Sequence, residues 1–170
     1  MKRNLVIFGG TGFLGLSLAN YLAERGFDIV LVARNKVDTS HKLLLWNGYD
    51  LGDWANELPN TFGIINLAGR SVDCQKTPDN CDLILRSRVD SVRTVAKALE
   101  RCENPPKVWI QMSTAHIYGD PPFRLCHEDA ALGFGLAPEV GKAWEQVFEE
   151  VLEPEIRGVV LRTGFVIGKE

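Results

Sequence analysis

Residues 9–15 read Gly-Gly-Thr-Gly-Phe-Leu-Gly and follow directly on the apolar run Asn4–Phe8. Two fingerprints overlap there, Gly9-x-x-Gly12-x-x-Gly15 and Gly10-x-Gly12-x-x-Gly15. Both do the same physical work. One glycine permits the tight turn out of a strand, a second lets backbone approach a pyrophosphate with no Cβ in the way, and the third lets helix pack closely on strand. Phosphates then meet free N–H groups at the positive end of a helix dipole. A glycine-rich turn without a ligand is the plain alternative. The position between an expected strand and an expected helix favours the phosphate cradle, formed by Gly9, Gly10, Thr11, Gly12, Phe13, Leu14 and Gly15. The end of the second strand, at Ala33 and Arg34, decides which dinucleotide fits. A carboxylate there would bind a ribose 2′-hydroxyl. The chain instead has Arg34, with Lys36 close behind and no acid before Asp38. A guanidinium matches a 2′-phosphate, so NADP(H) is expected ahead of NAD(H).

Ser113 and Thr114 close the apolar segment Lys107–Ser113, at a strand end where this kind of fold places chemistry. Both are read as candidate catalytic hydroxyls beside the cofactor. A strand-end cap without chemistry is the competing role for both. His116 is a weaker acid–base candidate, because a lone loop histidine is usually just solvated. Glu128 and Asp129 read as a solvated pair. No Cys-x-x-Cys spacing occurs among the four cysteines. Cys126 and His127 are adjacent and point different ways in most local conformations, so no metal site is expected and the thiols read as reduced.

The elements that must position these groups alternate. Strands are expected at Asn4–Phe8, Asp28–Ala33, Lys42–Trp46, Phe62–Ala68, Lys107–Ser113 and Gly158–Arg162. Helical spacing of apolar residues predicts helices over Gly12–Arg25, Asp82–Cys102 and Glu139–Leu152, with a weak short one near Asp53–Leu58. Strands that are apolar on nearly every residue need cover on both faces. Alternation with helices then gives a parallel sheet with right-handed crossovers. The expected fold is a single α/β domain, a Rossmann-type doubly wound parallel sheet of order 3-2-1-4-5-6. Residues 121–135 read as a surface loop. Trp46, Trp109 and Trp144 are assigned to packing, and Trp54 is expected to be partly exposed.

Composition bounds the partners. The 170 residues are 45% hydrophobic and 24% charged, with 19 Lys and Arg against 22 Asp and Glu, a formal net charge of −3. This is globular composition, and a nearly neutral chain calls for neither nucleic acid nor an anionic membrane. No signal-peptide core or spanning segment is legible, so a cytoplasmic setting is the default expectation. The expected partners are the dinucleotide and an unidentified small-molecule substrate, with a homodimer left open.

Further motifs extend the pattern: Asn66-Leu67-Ala68-Gly69, Ser87-Arg88-Val89, Ser113-Thr114-Ala115-His116-Ile117-Tyr118-Gly119, Trp144-Glu145, and Arg162-Thr163-Gly164 followed by Val166 and Gly168. In this order the chain resembles the extended short-chain dehydrogenase/reductase superfamily, and within it the atypical, NAD-dependent epimerase/dehydratase-like subgroup. The resemblance covers essentially the whole chain. It implies that Leu67, Ala68, Gly69, Arg88 and Val166 also contact the cofactor, Arg88 through its phosphates. It implies an oxidoreductase or epimerase acting on a small carbonyl, hydroxyl or sugar-nucleotide substrate, or else a cofactor-binding module without catalysis.

Two departures bear on activity. Active relatives pair a hydroxyl residue with Tyr-x-x-x-Lys. Here the tyrosine position holds Pro138 if Lys142 is the lysine, or Ala137 if Glu145 sets the register and Gly141 takes the lysine's place. The family also continues into a smaller C-terminal substrate lobe, whereas this chain stops at Glu170. Residues 1–170 are therefore read as the dinucleotide-binding domain alone, expected to bind NADPH with little turnover.

Overall fold

The structure is a computed structural model and describes residues 3–121 and 125–168. Pro122, Phe123 and Arg124, within the expected surface loop, lie outside the described residues. Strands β1 (Arg3–Phe8), β2 (Phe27–Ala33), β3 (Lys42–Leu45), β4 (Gly63–Asn66), β5 (Val108–Thr114) and β6 (Arg157–Thr163) form one sheet in the order β3-β2-β1-β4-β5-β6. Every pairing is parallel, with Leu5 opposite Ile29 on one side and Gly63 on the other. The expected order 3-2-1-4-5-6 is the observed one.

Helix α1 (Phe13–Ala23) covers one face, where Leu5, Ile7, Ala19, Ile29 and Leu31 are buried together. Helices α2 (Pro78–Leu99) and α3 (Leu136–Val151) cover the other, over Val6, Phe8, Ile64 and Trp109. Adjacent strand residues thus enter different cores, which is why β1 and β2 are apolar along their length. Cover is thinner toward β6. Arg162 reaches α3, so by alternation Leu161 points to the opposite face, where it is 42% exposed.

Both long helices start earlier than expected. α2 begins at Pro78, not Asp82: the Thr77 side chain accepts the Asn80 N–H at 3.3 Å, and proline occupies the first turn. Thr-Pro is an N-terminal signal in its own right, but the apolar periodicity begins only at Ile84. α3 begins at Leu136, not Glu139, so Pro138 falls in its first turn, where its missing N–H costs nothing. A 3-10 turn at Ala115–Tyr118, directly after β5, had no counterpart among the expected elements.

Trp54 corrects the expectation of partial exposure. It lies in the 3-10 turn Asp53–Glu57 and is fully buried, edge-on to Phe8 with ring centroids 5.0 Å apart and 5.3 Å from Trp46. A five-residue turn has too few residues to show an apolar face in sequence. The partner that buries Trp54 belongs to β1.

Candidate dinucleotide site

The glycine loop turns at the carboxyl end of β1, at the point where the sheet order reverses between β1 and β4. Open α/β sheets bind ligands at such a switch point. Gly9 has φ +72, and a Cβ there would lie 2.9 Å from the Leu67 carbonyl, so only glycine fits. Gly10 and Gly15 serve packing. A Cβ on Gly10 would sit 2.7 Å from the Leu31 side chain, and one on Gly15 would sit 2.6 Å from the Gly10 backbone. Gly12 is different. Its backbone is ordinary extended chain (φ −75, ψ 169), and a Cβ would only touch the Gly9 carbonyl at 3.4 Å. Neither conformation nor packing explains the glycine, and what its missing side chain leaves open is the space in front of α1. That helix start has no side-chain cap and no acid in its first turn, so its leading N–H groups face that space without an internal partner. This donor set and clearance suit a pyrophosphate.

Two cavities meet over the loop, and Gly9, Gly12, Leu67, Gly69 and Arg70 line both. The first, about 250 Å³, runs to the end of β2 and is walled by Ala33, Arg34 and Asn35. Among the described residues no Asp or Glu lines it. Its far wall is the turn Trp46–Tyr49, which sequence reasoning missed as part of the site. This turn is heavily braced. Asn47 Oδ1 accepts the Tyr49 and Asp50 N–H groups at 2.9 and 3.0 Å, Trp46 Nε1 donates to the Asp50 carbonyl at 2.8 Å, and the Thr94 hydroxyl donates to the Tyr49 carbonyl at 2.9 Å. The Tyr49 side chain stays half-exposed at the cavity. The dipeptide Asn47-Gly48 was the available turn signal.

The second cavity, about 780 Å³, extends from Phe13, Leu14 and Gly15 to Ser113 and Thr114 at the end of β5. Val166 lines it, as does Arg88. The Arg88 guanidinium lies over the Trp144 ring at 5.0 Å and donates to the Ile84 and Arg70 carbonyls at 2.9 and 3.2 Å. Burial pushes its pKa down from the usual arginine range. The strand end Leu67–Gly69 is presented by buried Asn66, which accepts the Ala68 N–H at 3.1 Å and donates to Gln111 at 3.0 Å.

Not every expected residue joins the site. Gly10 and Lys36 line neither cavity: Gly10 is packed against β2, and Lys36 is exposed beyond the bend at Arg34. Thr11 lines the first cavity. Thr114 lines the second, and its Oγ1 accepts the His116 N–H at 3.2 Å, so it caps the 3-10 turn and still has a proton to donate. His116 is exposed at the rim.

Ser113 belongs to a buried network that no linear pattern displayed. Its hydroxyl donates to the Glu145 carboxylate. Arg162 grips the same carboxylate with two bonds, Nε–Oε1 at 2.9 Å and Nη2–Oε2 at 2.7 Å. Its Nη1 donates to the Tyr118 hydroxyl and, at 2.6 Å, to the Glu128 carbonyl. Hydrogen bonding to Glu145, aided by Tyr118, holds the guanidinium above its ordinary pKa although burial works the other way. Trp-Glu was noted in the sequence only as a motif. Its role is to tie α3 to β5 and β6.

Helix α3 turns Leu136, Ala137, Val140 and Trp144 toward the cavity. Lys142 is not among them and pairs with Glu139 at 2.9 Å. At Gly141 a Cβ would already lie 3.2 Å from Ile117 and 3.3 Å from Thr114, so that position has little room for a long side chain. Among the described residues no group of three His, Cys, Asp or Glu could hold a metal. No helix among them is long and apolar enough to cross a membrane.

The chain matches the model of the NAD dependent epimerase/dehydratase family over residues 5–133. It is 30% identical over 171 residues to the epimerase family protein YfhF of Bacillus subtilis, covering 98% of this chain and 56% of that protein. It is 26% identical to the epimerase family protein SDR39U1 of Bos taurus, covering 97% of this chain and 55% of that protein. The crystal structure of human SDR39U1 with NADPH superposes with a TM-score of 0.85 at 25% identity, covering 99% of this chain and 56% of that one. The chain thus spans a little over half the length of these relatives.

Proposed function

Since the chain belongs to the NAD dependent epimerase/dehydratase family, we propose that it binds NADP(H) across the two cavities, as the dinucleotide-binding part of an oxidoreductase or epimerase acting on a small carbonyl, hydroxyl or sugar-nucleotide substrate. One observation carries the choice of cofactor: Arg34 lines the first cavity at the end of β2, and no carboxylate among the described residues lines that cavity to bind a 2′-hydroxyl. The similarity to human SDR39U1, whose structure contains NADPH, supports the same choice. In this reading the Trp46–Tyr49 turn lies against the adenosine end. The glycine loop and Arg88 hold the pyrophosphate, and Leu67–Gly69 and Val166 lie along the nicotinamide half.

Arg34→Ala is expected to weaken NADPH binding by about 1.5–3 kcal/mol, the usual worth of a hydrogen bond to a charged group, and to leave NADH binding as it was. Titration calorimetry of both cofactors on both proteins checks this. Equal affinity of the wild type for NADH and NADPH would refute the 2′-phosphate assignment.

The nicotinamide ring, when bound, supplies or accepts a hydride. A matching proton transfer needs a hydroxyl or other acid–base group at the cavity. Thr114 has a hydroxyl at the cavity with its proton uncommitted to the 3-10 turn it caps, and so is the candidate to bond the substrate oxygen. The Ser113 proton is engaged in a hydrogen bond to Glu145, so this hydroxyl offers a substrate only lone pairs, which makes it a positioning group. α3 contributes neither tyrosine nor lysine to the cavity. General acid–base catalysis is typically worth about 10²–10⁴-fold, and most of it is absent here. We therefore expect NADPH binding with turnover of simple aldehydes, ketones or sugar nucleotides close to background. Turnover far above background that disappears in Thr114→Val would show that this hydroxyl suffices as the acid.

A further inference from the structure

The second cavity has cations that no carboxylate among the described residues answers. Arg70, Lys76 and Arg88 line it, and no described Asp or Glu does. Among the described residues, ion pairs join Lys42 to Glu57, Arg86 to Asp82, Lys142 to Glu139 and Arg162 to Glu145, and none involves those three. They are held by neutral acceptors instead. Arg70 Nη2 donates to the Asn80 side chain at 3.1 Å, and Lys76 Nζ donates to the Cys74 carbonyl at 2.9 Å and to the Val72 carbonyl. Such bonds orient a charge without neutralising it, and each group keeps donors to spare.

Arg88 is the deepest of the three and stands against Gly69, beside the glycine loop. The dinucleotide phosphates account for it. Lys76 lines the second cavity alone and Arg70 borders both, and neither is among the residues assigned to the pyrophosphate. Both lie on the segment between β4 and α2, which is itself fastened down. The Arg70 N–H donates to Ser87 Oγ at 3.0 Å, the Asp73 N–H to Ser71 Oγ at 3.1 Å, and Asn80 Nδ2 to the Gln75 carbonyl at 2.9 Å. Asp73, the acid of this segment, does not line the cavity. Val72, Val140 and Phe165 line the cavity with them, and Lys76 itself is exposed, free to meet a ligand from solvent.

We propose that the second cavity takes a substrate bearing an anionic oxygen group, a carboxylate or a phosphate, held by Arg70 and Lys76. This rests on the reading above, in which the glycine loop and Arg88 are engaged by the dinucleotide. Neutral substrates then bind weakly whatever their reacting carbon, and the anion sets which molecules reach Thr114.

The test is titration calorimetry on the whole chain, with and without saturating NADPH. It uses two probe pairs, 2-oxobutyrate against 2-butanone and hydroxyacetone phosphate against hydroxyacetone. At least one anionic probe is expected to bind about tenfold or more tightly than its neutral partner, the effect of one hydrogen bond to a charged group. Preference in the first pair alone identifies a carboxylate, and in the second alone a phosphate. Lys76→Gln and Arg70→Gln should each reduce the preference, and Lys76→Arg should retain it. Equal binding within both pairs, no binding by any probe, or a preference that survives both glutamine substitutions overturns the proposal. Failure of NADPH itself to bind counts against the parent reading and is read separately in the cofactor titration. The NADPH-free arm then decides through the Arg70 and Lys76 variants, since the open phosphate cradle attracts anions in wild type and variants alike.

Discussion

Gly12→Val should abolish NADPH binding in a protein that still folds, whereas Gly15→Val should cost the fold itself. The two glycines lie three residues apart in one fingerprint, yet the surroundings of their Cβ positions differ completely. At Gly12 the backbone conformation is one any residue adopts, and the nearest atom to an added Cβ is 3.4 Å away. A valine there therefore projects into the space before α1 without disturbing the core. It would exclude the phosphates from the leading helix N–H groups. Losing two hydrogen bonds to a charged group, each about 1.5–3 kcal/mol, lowers affinity by more than a hundredfold. At Gly15 an added Cβ would lie 2.6 Å from three backbone atoms of Gly10, so α1 must move off β1. Overpacking a core commonly costs about 1–3 kcal/mol, and a clash against backbone belongs at or above the top of that range. Circular dichroism melts and NADPH fluorescence titrations on both variants separate the effects. A Gly12→Val protein with wild-type affinity would mean that no phosphate approaches this turn.

Arg162→Met carries the largest expected stability loss outside the glycine loop. The substitution keeps much of the side-chain volume and removes the charge that meets Glu145, a residue only 7% exposed. Breaking a buried pair from one side strands the other charge, at a cost of about 3–5 kcal/mol. The same guanidinium also holds the Tyr118 hydroxyl and the Glu128 carbonyl, so the connection between β5 and α3 should loosen together with α3 itself. Urea denaturation followed by tryptophan fluorescence measures the loss. Glu145→Leu added to Arg162→Met should recover a large part of it, because no buried charge is then left unpaired. A single variant within about 1 kcal/mol of wild type would show the pair to be solvated and dispensable.

The strands were legible because each in the sheet centre is buried on both faces, which writes a continuous apolar run such as Ile29–Ala33 into the chain. Their order followed from the handedness of parallel crossovers, which leaves few arrangements open. The glycine loop and Arg34 were legible for a related reason: a strand, a turn and a helix start are contiguous, so local spacing already fixes their relative positions. Helix starts were less so. Periodicity reports where a helix meets the core; the first turn of α2 precedes that contact, and the first turn of α3 carries a proline that reads as a breaker.

The remainder depended on distance along the chain. Ser113, Glu145 and Arg162 are separated by 32 and 17 residues, and Tyr118 by 44 from Arg162, so their network exists only once β5, β6 and α3 are packed. Thr94 braces the Tyr49 turn from 45 residues away. Trp54 was misjudged because its burial is supplied by Phe8 and Trp46 across the sheet edge. Unpaired charge at Arg70 and Lys76 is likewise a property of what does not come near them. Contiguous spacing and burial pattern decided the fold and the phosphate cradle. Which polar side chains neutralise one another, and which are left facing the cavity, was decided by packing, because a hydrogen bond or ion pair depends on separation in space and is indifferent to separation in sequence.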